Sequence, residues 1–141
     1  MSRVKELFLF DMLIAIAKIE ETCKNFSDGD ALKHNYMAWD SVIREFEIIG
    51  EATKNLINSE VFDTSKREIV NFRNVLIHEY FGIDEEEVFD IARNKLNDLK
   101  QIAISKIETI EKELKEELII DFIDENRHLN FVVDAVTKLR K

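Results

Sequence analysis

The sequence predicts an all-α protein, a bundle of four or five antiparallel helices. Three observations lead there. Proline is absent, and glycine occurs only three times in 141 residues, at Gly29, Gly50 and Gly82. Both residue types break helices, so their scarcity favours long uninterrupted ones. Apolar residues recur at three- and four-residue intervals along most of the chain, which is the helical period. Hydrophobic residues make up 45% and charged residues 35% of the total, a balance that supplies a core with solvated outer faces and does not suit a disordered chain. A chain of this length is read as one domain, able to bury a core without staples.

The first helix is expected over about residues 2–26. Leu7, Phe10, Ile14 and Ala17 mark one apolar stripe, and Phe8, Met12, Ala15 and Ile19 another. A helix with two adjoining stripes packs against more than one neighbour. Asp11 lies at their edge as a hydrogen-bonded or exposed carboxylate. Ser27 to Asp30 reads as a loop with Asp30 as N-cap. The second helix then runs over about 31–58, with Trp39, Val42, Ile43, Phe46, Ile49, Thr53 and Leu56 in helical register. Gly50 falls inside it. A mid-helix glycine costs roughly 1 kcal/mol against alanine, and close backbone approach explains its presence.

The pattern breaks again at 58–65. Ser65 with Glu68 fits a capping box, so the third helix starts near Lys66 and ends near Gly82, read as a left-handed C-cap. Asp84 with Glu87 signals a fourth helix. Its stripe of Leu96, Leu99, Ala103, Ile107, Ile110 and Leu114 is close to a heptad and reads as bundle core. Leu129, Val132, Val133, Val136 and Leu139 predict a fifth helix, with Asp124 or Asn126 near its cap. The run LIIDFI at 118–123 fits a strand or buried linker as well, because short apolar runs carry no decisive period. Residues 1–110 are taken as the bundle domain and 111–141 as a C-terminal helical extension of it.

Composition narrows the function classes. The net charge is −9, whereas proteins that bind nucleic acid by their whole surface are usually basic. Nucleic acid would therefore have to be handled at a local site. Cys23 is the one cysteine, which rules out an intrachain disulfide or a multi-cysteine zinc site; a small buried hydrophobe is its expected role. No metal or cofactor set is read. Near the N-terminus, LFLFDMLIAIA resembles a secretion signal, but Asp11 interrupts it, Glu6 precedes it and the amphipathic pattern continues beyond. No apolar stretch approaches the roughly 18 residues that span a bilayer. A cytoplasmic protein without membrane contact is expected.

The segment RNVLIHEY, Arg73 to Tyr80, carries the chemistry. At about 100° per residue, Arg73 and Tyr80 fall almost on one line, and Asn74 and His78 are neighbours on the helix surface. The four share one broad polar face, leaving Phe72, Val75 and Leu76 to pack elsewhere and Ile77 beside the Arg73–Tyr80 line. A polar strip of this kind needs solvent, partner side chains or a ligand. Histidine exchanges protons near neutrality, and arginine forks onto phosphate. An imidazole with a guanidinium suffices for RNA cleavage by the RNA's own 2′-hydroxyl, since the cation can stabilise charge at five-coordinate phosphorus. On spacing alone the alternative stays open: a helix C-terminus where His78 favours the dipole and Arg73 pairs with a carboxylate. Glu51 and Glu47 stand ready either to orient Arg73 or His78 or to form such a structural pair. His34 and His128 read as ordinary surface histidines, and Glu79 as solvent-exposed.

Two segments carry a family resemblance: FEIIGEATKNL at 46–56 and FRNVLIHEYFGID at 72–84. On them, residues from about Asp11 to Ile107 resemble the HepT-type HEPN family, the toxin half of two-gene modules, through its R-x4-H-x-Y pattern. The resemblance implies an all-helical HEPN bundle that dimerises, bringing two R-x4-H motifs into one cleft, and a metal-independent endoribonuclease. Arg73 and His78 would be its catalytic pair, Asn74 a supporting residue and Glu51 a weaker candidate. It also implies a partner, an MntA-like minimal nucleotidyltransferase antitoxin that transfers AMP to Tyr80, and an RNA substrate such as tRNA or mRNA. Phosphates on Tyr80 would set negative charge beside the Arg73 line and block the cleft. The competing reading is a non-catalytic module, binding a nucleotide or presenting substrate to the nucleotidyltransferase. The thirty-odd residues after the fourth helix depart from the family pattern and are expected to pack on the bundle, lengthen the dimer interface or touch the antitoxin.

Overall fold

The computed structural model describes residues 4–78 and 82–140. Among them the chain is helical throughout, with α1 (Lys5–Cys23), α2 (Gly29–His34), α3 (Tyr36–Asn58), α4 (Arg67–His78), α5 (Glu85–Asp90), α6 (Leu96–Glu108), α7 (Lys112–Glu125) and α8 (Asn130–Thr137). Single 3-10 turns at Thr64–Lys66 and Lys138–Arg140 precede α4 and follow α8, and a π-helical turn at Ile91–Lys95 joins α5 to α6.

Helix α1 is the axis of the bundle. Leu9, Phe10, Met12, Leu13, Ile14, Ala15, Ile16 and Ile19 are all buried, and they point in every direction around the helix. An all-round apolar helix is stable only when neighbours enclose it; here α3, α6 and α8 do so. Burial goes beyond the two stripes read from the sequence: Leu9, Leu13 and Ile16 belong to neither and are buried, whereas Leu7, Phe8 and Ala17 are only partly so. Helix α4 packs on the outer side of α3, fixed by an edge-to-face contact of Phe46 with Phe72 at 5.4 Å between ring centroids and by buried Val70 and Leu76.

The all-helical bundle is as the sequence predicts, but its helices are more interrupted. The expected second helix breaks at Asn35, whose extended backbone ends α2 and whose side chain accepts from Ala38 N–H to start α3. Asp28, not Asp30, caps α2, accepting from Ala31 N–H. The Ser65–Glu68 capping box is not formed. Asp63 caps the preceding 3-10 turn instead, accepting bonds from the Ser65 backbone and hydroxyl, and these hold the Asp63 carboxyl below its ordinary range. Gly82 has no positive φ, so it is not the left-handed cap. Asp84 does cap α5, accepting from Glu86 and Glu87 N–H.

The heptad-like stripe stops at Thr109, and Leu114 belongs to α7. The 118–123 segment is helical, within α7. Helix α8 starts at Leu129 without a side-chain cap, so neither Asp124 nor Asn126 plays that part. Leu118, Ile119 and Phe122 of α7, with Val132 and Val136 of α8, join the same core as α1; Phe122 stacks on Phe10 at 5.0 Å.

Cys23 is buried. Burial pushes its thiol up to about 11, partly offset by the charge of Arg93. No described helix is long and apolar enough to cross a membrane.

Candidate active site

The centre of the site is the crossing of α3 and α4. A β-carbon on Gly50 would overlap Cβ and Cγ of Arg73. Glycine is therefore what lets the aliphatic stem of Arg73 lie directly on the backbone of α3. This is the close approach its mid-helix position called for, and the approaching group is the site arginine itself. The guanidinium then has two partners. Nη2 donates to Glu51 Oε1 at 3.3 Å, and Nη1 donates to Asn74 Oδ1 at 3.1 Å. Glu51 also accepts from Asn55 Nδ2 at 3.3 Å, one turn further along α3. Nε of Arg73 is buried and has no hydrogen-bond partner among the described residues. The Arg73 side chain is 27% exposed against 50% for Glu51, so the pair lies at the rim of the packing interface.

Asn74 and His78 are exposed on the outer face of α4, and His78 is its last residue. A cationic histidine there would gain from the helix dipole. Arg73, Asn74 and Glu51 are thus brought into direct contact, while His78 stands one turn beyond Asn74, facing solvent. The polar face expected of α4 is divided: Arg73 leans onto α3, and Asn74 and His78 look outward. Val75 and Ile77, the former expected to pack, are 45% and 40% exposed. Tyr80 and Glu79 lie outside the described residues. Glu47 is not on Arg73; it pairs with Arg44 at 3.6 Å. His34 and His128 are both exposed, and His34 Nδ1 donates to the Asp30 carbonyl at 2.8 Å.

Beside Arg73 opens a cleft of about 350 Å³ between α1, α3 and α4. Arg44, Glu47, Ile48 and Glu51 form its α3 wall, and Phe8 and Asp11 its α1 wall. Arg44 and the cleft were not legible in the sequence. The 44–47–48–51 spacing marks one helical face, but nothing in it says that Arg73 faces the same space. A larger groove of about 470 Å³ lies on the other flank of α4, lined by Phe46, Ile69, Phe72, Leu96 and Ile102 among others. Lys66, Glu68, Lys95 and Asp98 line it as well, and it contains none of the motif residues. Among the described residues no group of three or more His, Cys, Asp or Glu is arranged to hold a metal ion.

Fold and site together define a helical bundle with a guanidinium–amide–imidazole series on a single helix, braced from its neighbour. The chain belongs to the ribonuclease HepT-like family, whose model matches residues 12–106. A Thermococcus cleftensis protein named "Probable ribonuclease HepT" is 34% identical over 103 residues, covering 71% of this chain and 93% of that protein. A Methanocaldococcus jannaschii protein named "Putative RNase" is 35% identical over 99 residues, 67% of this chain and 81% of the relative. A longer protein of that organism, named "Gamma-glutamylcyclotransferase and putative RNase", is 30% identical over 110 residues; the match spans 49% of its length. No solved structure matches the chain significantly.

Proposed function

We propose that this chain is a metal-independent endoribonuclease, the toxin of a toxin–antitoxin pair, with Arg73 and His78 as its catalytic groups. The observation that carries the reading is the bracing of Arg73. A site arginine seated on a glycine, with Glu51 and Asn74 on its donors, has its position fixed before substrate arrives, which is what transition-state stabilisation requires. His78 is exposed and able to exchange a proton with the 2′-hydroxyl. Arg73 stabilises the charge on the pentacoordinate phosphorus, and Asn74 holds the guanidinium's orientation.

One protomer offers a single such set. The exposed Val75 and Ile77 flank it on α4, and apolar surface beside a polar site is what a second protomer would cover. On this reading two copies of α4 meet and enclose the RNA between them. The antitoxin is a minimal nucleotidyltransferase that adds AMP to Tyr80, so that phosphate charge and bulk close the cleft.

Purified protein should cleave RNA in EDTA and leave 2′,3′-cyclic phosphate ends. His78→Ala should lower that rate by at least 10²-fold, the lower range for a general acid–base group, with an unchanged circular dichroism spectrum. Undiminished cleavage in His78→Ala removes His78 from the mechanism. Intact mass after co-expression with an MntA-like minimal nucleotidyltransferase should show added AMP units on Tyr80.

The acidic balance of −9 favours a second reading, a non-catalytic module that docks the nucleotidyltransferase or a nucleotide through the same face. Loss of that complex in Arg73→Ala, with no RNA cleavage by wild-type protein, would select it.

A further inference from the structure

We propose that Arg44 forms a second phosphate subsite, holding an RNA phosphate adjacent to the scissile one along the α1–α3–α4 cleft. This rests on the ribonuclease reading and extends it to how substrate is held. Arg44 and Arg73 line the same cleft but come from different helices. Arg44 lies seven residues before Glu51, the carboxylate that holds Arg73, and so two helical turns, about 10 Å, further along the same face of α3. The guanidinium heads rest against carboxylates one turn apart on α3, Arg44 on Glu47 and Arg73 on Glu51, a rise of about 6 Å. Two anchored cations spaced in this way suit two phosphates of one strand, with the chemistry at the Arg73 end.

The competition inside the cleft also favours exchange. Glu47, Glu51 and Asp11 line it too, and both arginines rest against carboxylates. The Arg44–Glu47 contact is 3.6 Å long, beyond hydrogen-bonding reach, and the Arg44 side chain is 70% exposed. Exposed pairs of this kind contribute little. An arginine fork on phosphate makes short charge-assisted bonds and is the stronger contact. The paired carboxylates therefore keep the cleft near neutral when empty, in a protein of net charge −9, and yield the arginines to a polyanion. Glu47 is the residue that RNA must displace from Arg44. Phe8, on the α1 wall, gives the cleft an aromatic surface of the type on which bases stack.

The test uses the full-length chain and a fluorescently labelled single-stranded RNA of about ten nucleotides, long enough to span both subsites. Cleavage kinetics are measured for wild type, Arg44→Ala, Glu47→Gln and Arg127→Ala. The last removes an equal charge from an exposed arginine paired with Asp124, outside the cleft. Arg44→Ala should raise KM about tenfold while kcat stays within about twofold, and should reduce the salt slope of binding by about one. Glu47→Gln should lower KM, and Arg127→Ala should leave it nearly unchanged. Equal effects of Arg44→Ala and Arg127→Ala would show a general charge effect and overturn the subsite. So would a fall in kcat at unchanged KM, which would put Arg44 in the chemistry. Absence of cleavage by wild-type protein would count against the ribonuclease reading instead. Anisotropy titration of the same RNA on His78→Ala, with and without Arg44→Ala, then decides the subsite on binding alone: a tenfold weakening supports it and equal affinity overturns it.

Discussion

Gly50 decides where the site arginine stands. In an exposed helix its replacement by alanine would gain about 1 kcal/mol of helix propensity. Here the new methyl meets Cβ of Arg73, an atom rooted in the α4 backbone that cannot swing away. Overpacking of this kind costs about 1–3 kcal/mol, so the clash outweighs the propensity. Gly50→Ala should lower the urea unfolding free energy by up to about 2 kcal/mol, and should lower RNA cleavage by more than the unfolded fraction explains, because Arg73 is displaced from Glu51. An unfolding curve together with a cleavage rate on the same sample checks both halves. Glu51 was the weakest of the candidate residues legible in the sequence, yet it is the α3 residue that hydrogen-bonds the Arg73 guanidinium. Glu47, one turn earlier on α3, pairs with Arg44 instead. Two carboxylates one turn apart on α3 are equivalent in sequence; which of them meets α4 depends on how the helices cross.

At the scale of elements, the Asp84 start was legible, starts were misplaced where several capping candidates crowd together, and the lone cap Asn35 was missed because apolar spacing continues on both sides of it. Asp84 caps α5 as read. Around 27–30 the sequence offers Ser27, Asp28 and Asp30, and around 63–65 it offers Asp63, Thr64 and Ser65; in both places an aspartate ahead of the expected cap wins. Near Gly29 there is a tertiary reason. The Glu86 carboxylate accepts from the N–H groups of Gly29 and Asp30, each at 3.0 Å, and Gly29 is pressed against the Glu85 carbonyl. Helix α2 is thereby tied to α5. Asp84 starts this arm, since it caps the α5 turn that presents Glu86. Asp84→Ala should therefore cost about 1 kcal/mol, the usual loss of a good N-cap, readable as a lowered denaturant midpoint at unchanged slope. An unchanged midpoint would mean that the Glu86 clasp holds the turn without its cap.

Across the whole molecule, residues 111–141 share the core rather than decorate it. Phe122 stacks on Phe10 of the central helix, and Val132, Val136 and Leu139 are buried with it. Truncation after Ile110 would uncover the side of α1 that carries Phe10, a buried aromatic ring. The shortened chain should be largely unfolded or aggregated, seen as lost helical ellipticity and a broadened elution profile. Phe122→Ala in the full chain should cost about 3–5 kcal/mol, as for other buried aromatic truncations. A truncated chain that stays monomeric and helical would make 111–141 a separable appendage.

What the sequence determined by itself is the local content of this protein: helices from the missing prolines and the apolar period, a buried lone cysteine, an R-x4-H series on one helix, and a glycine that had to face something close. These follow from properties each residue carries through its own helix. What only the tertiary structure decided is which faces meet. That Gly50 receives Arg73, that Glu51 rather than Glu47 holds it, and that Arg44 shares its cleft all depend on how α3 and α4 cross. Helical spacing fixes angles around each axis and leaves the relation between axes open. That relation is set by packing, by Phe46 against Phe72 and by the single backbone position on α3 with room for an arginine stem.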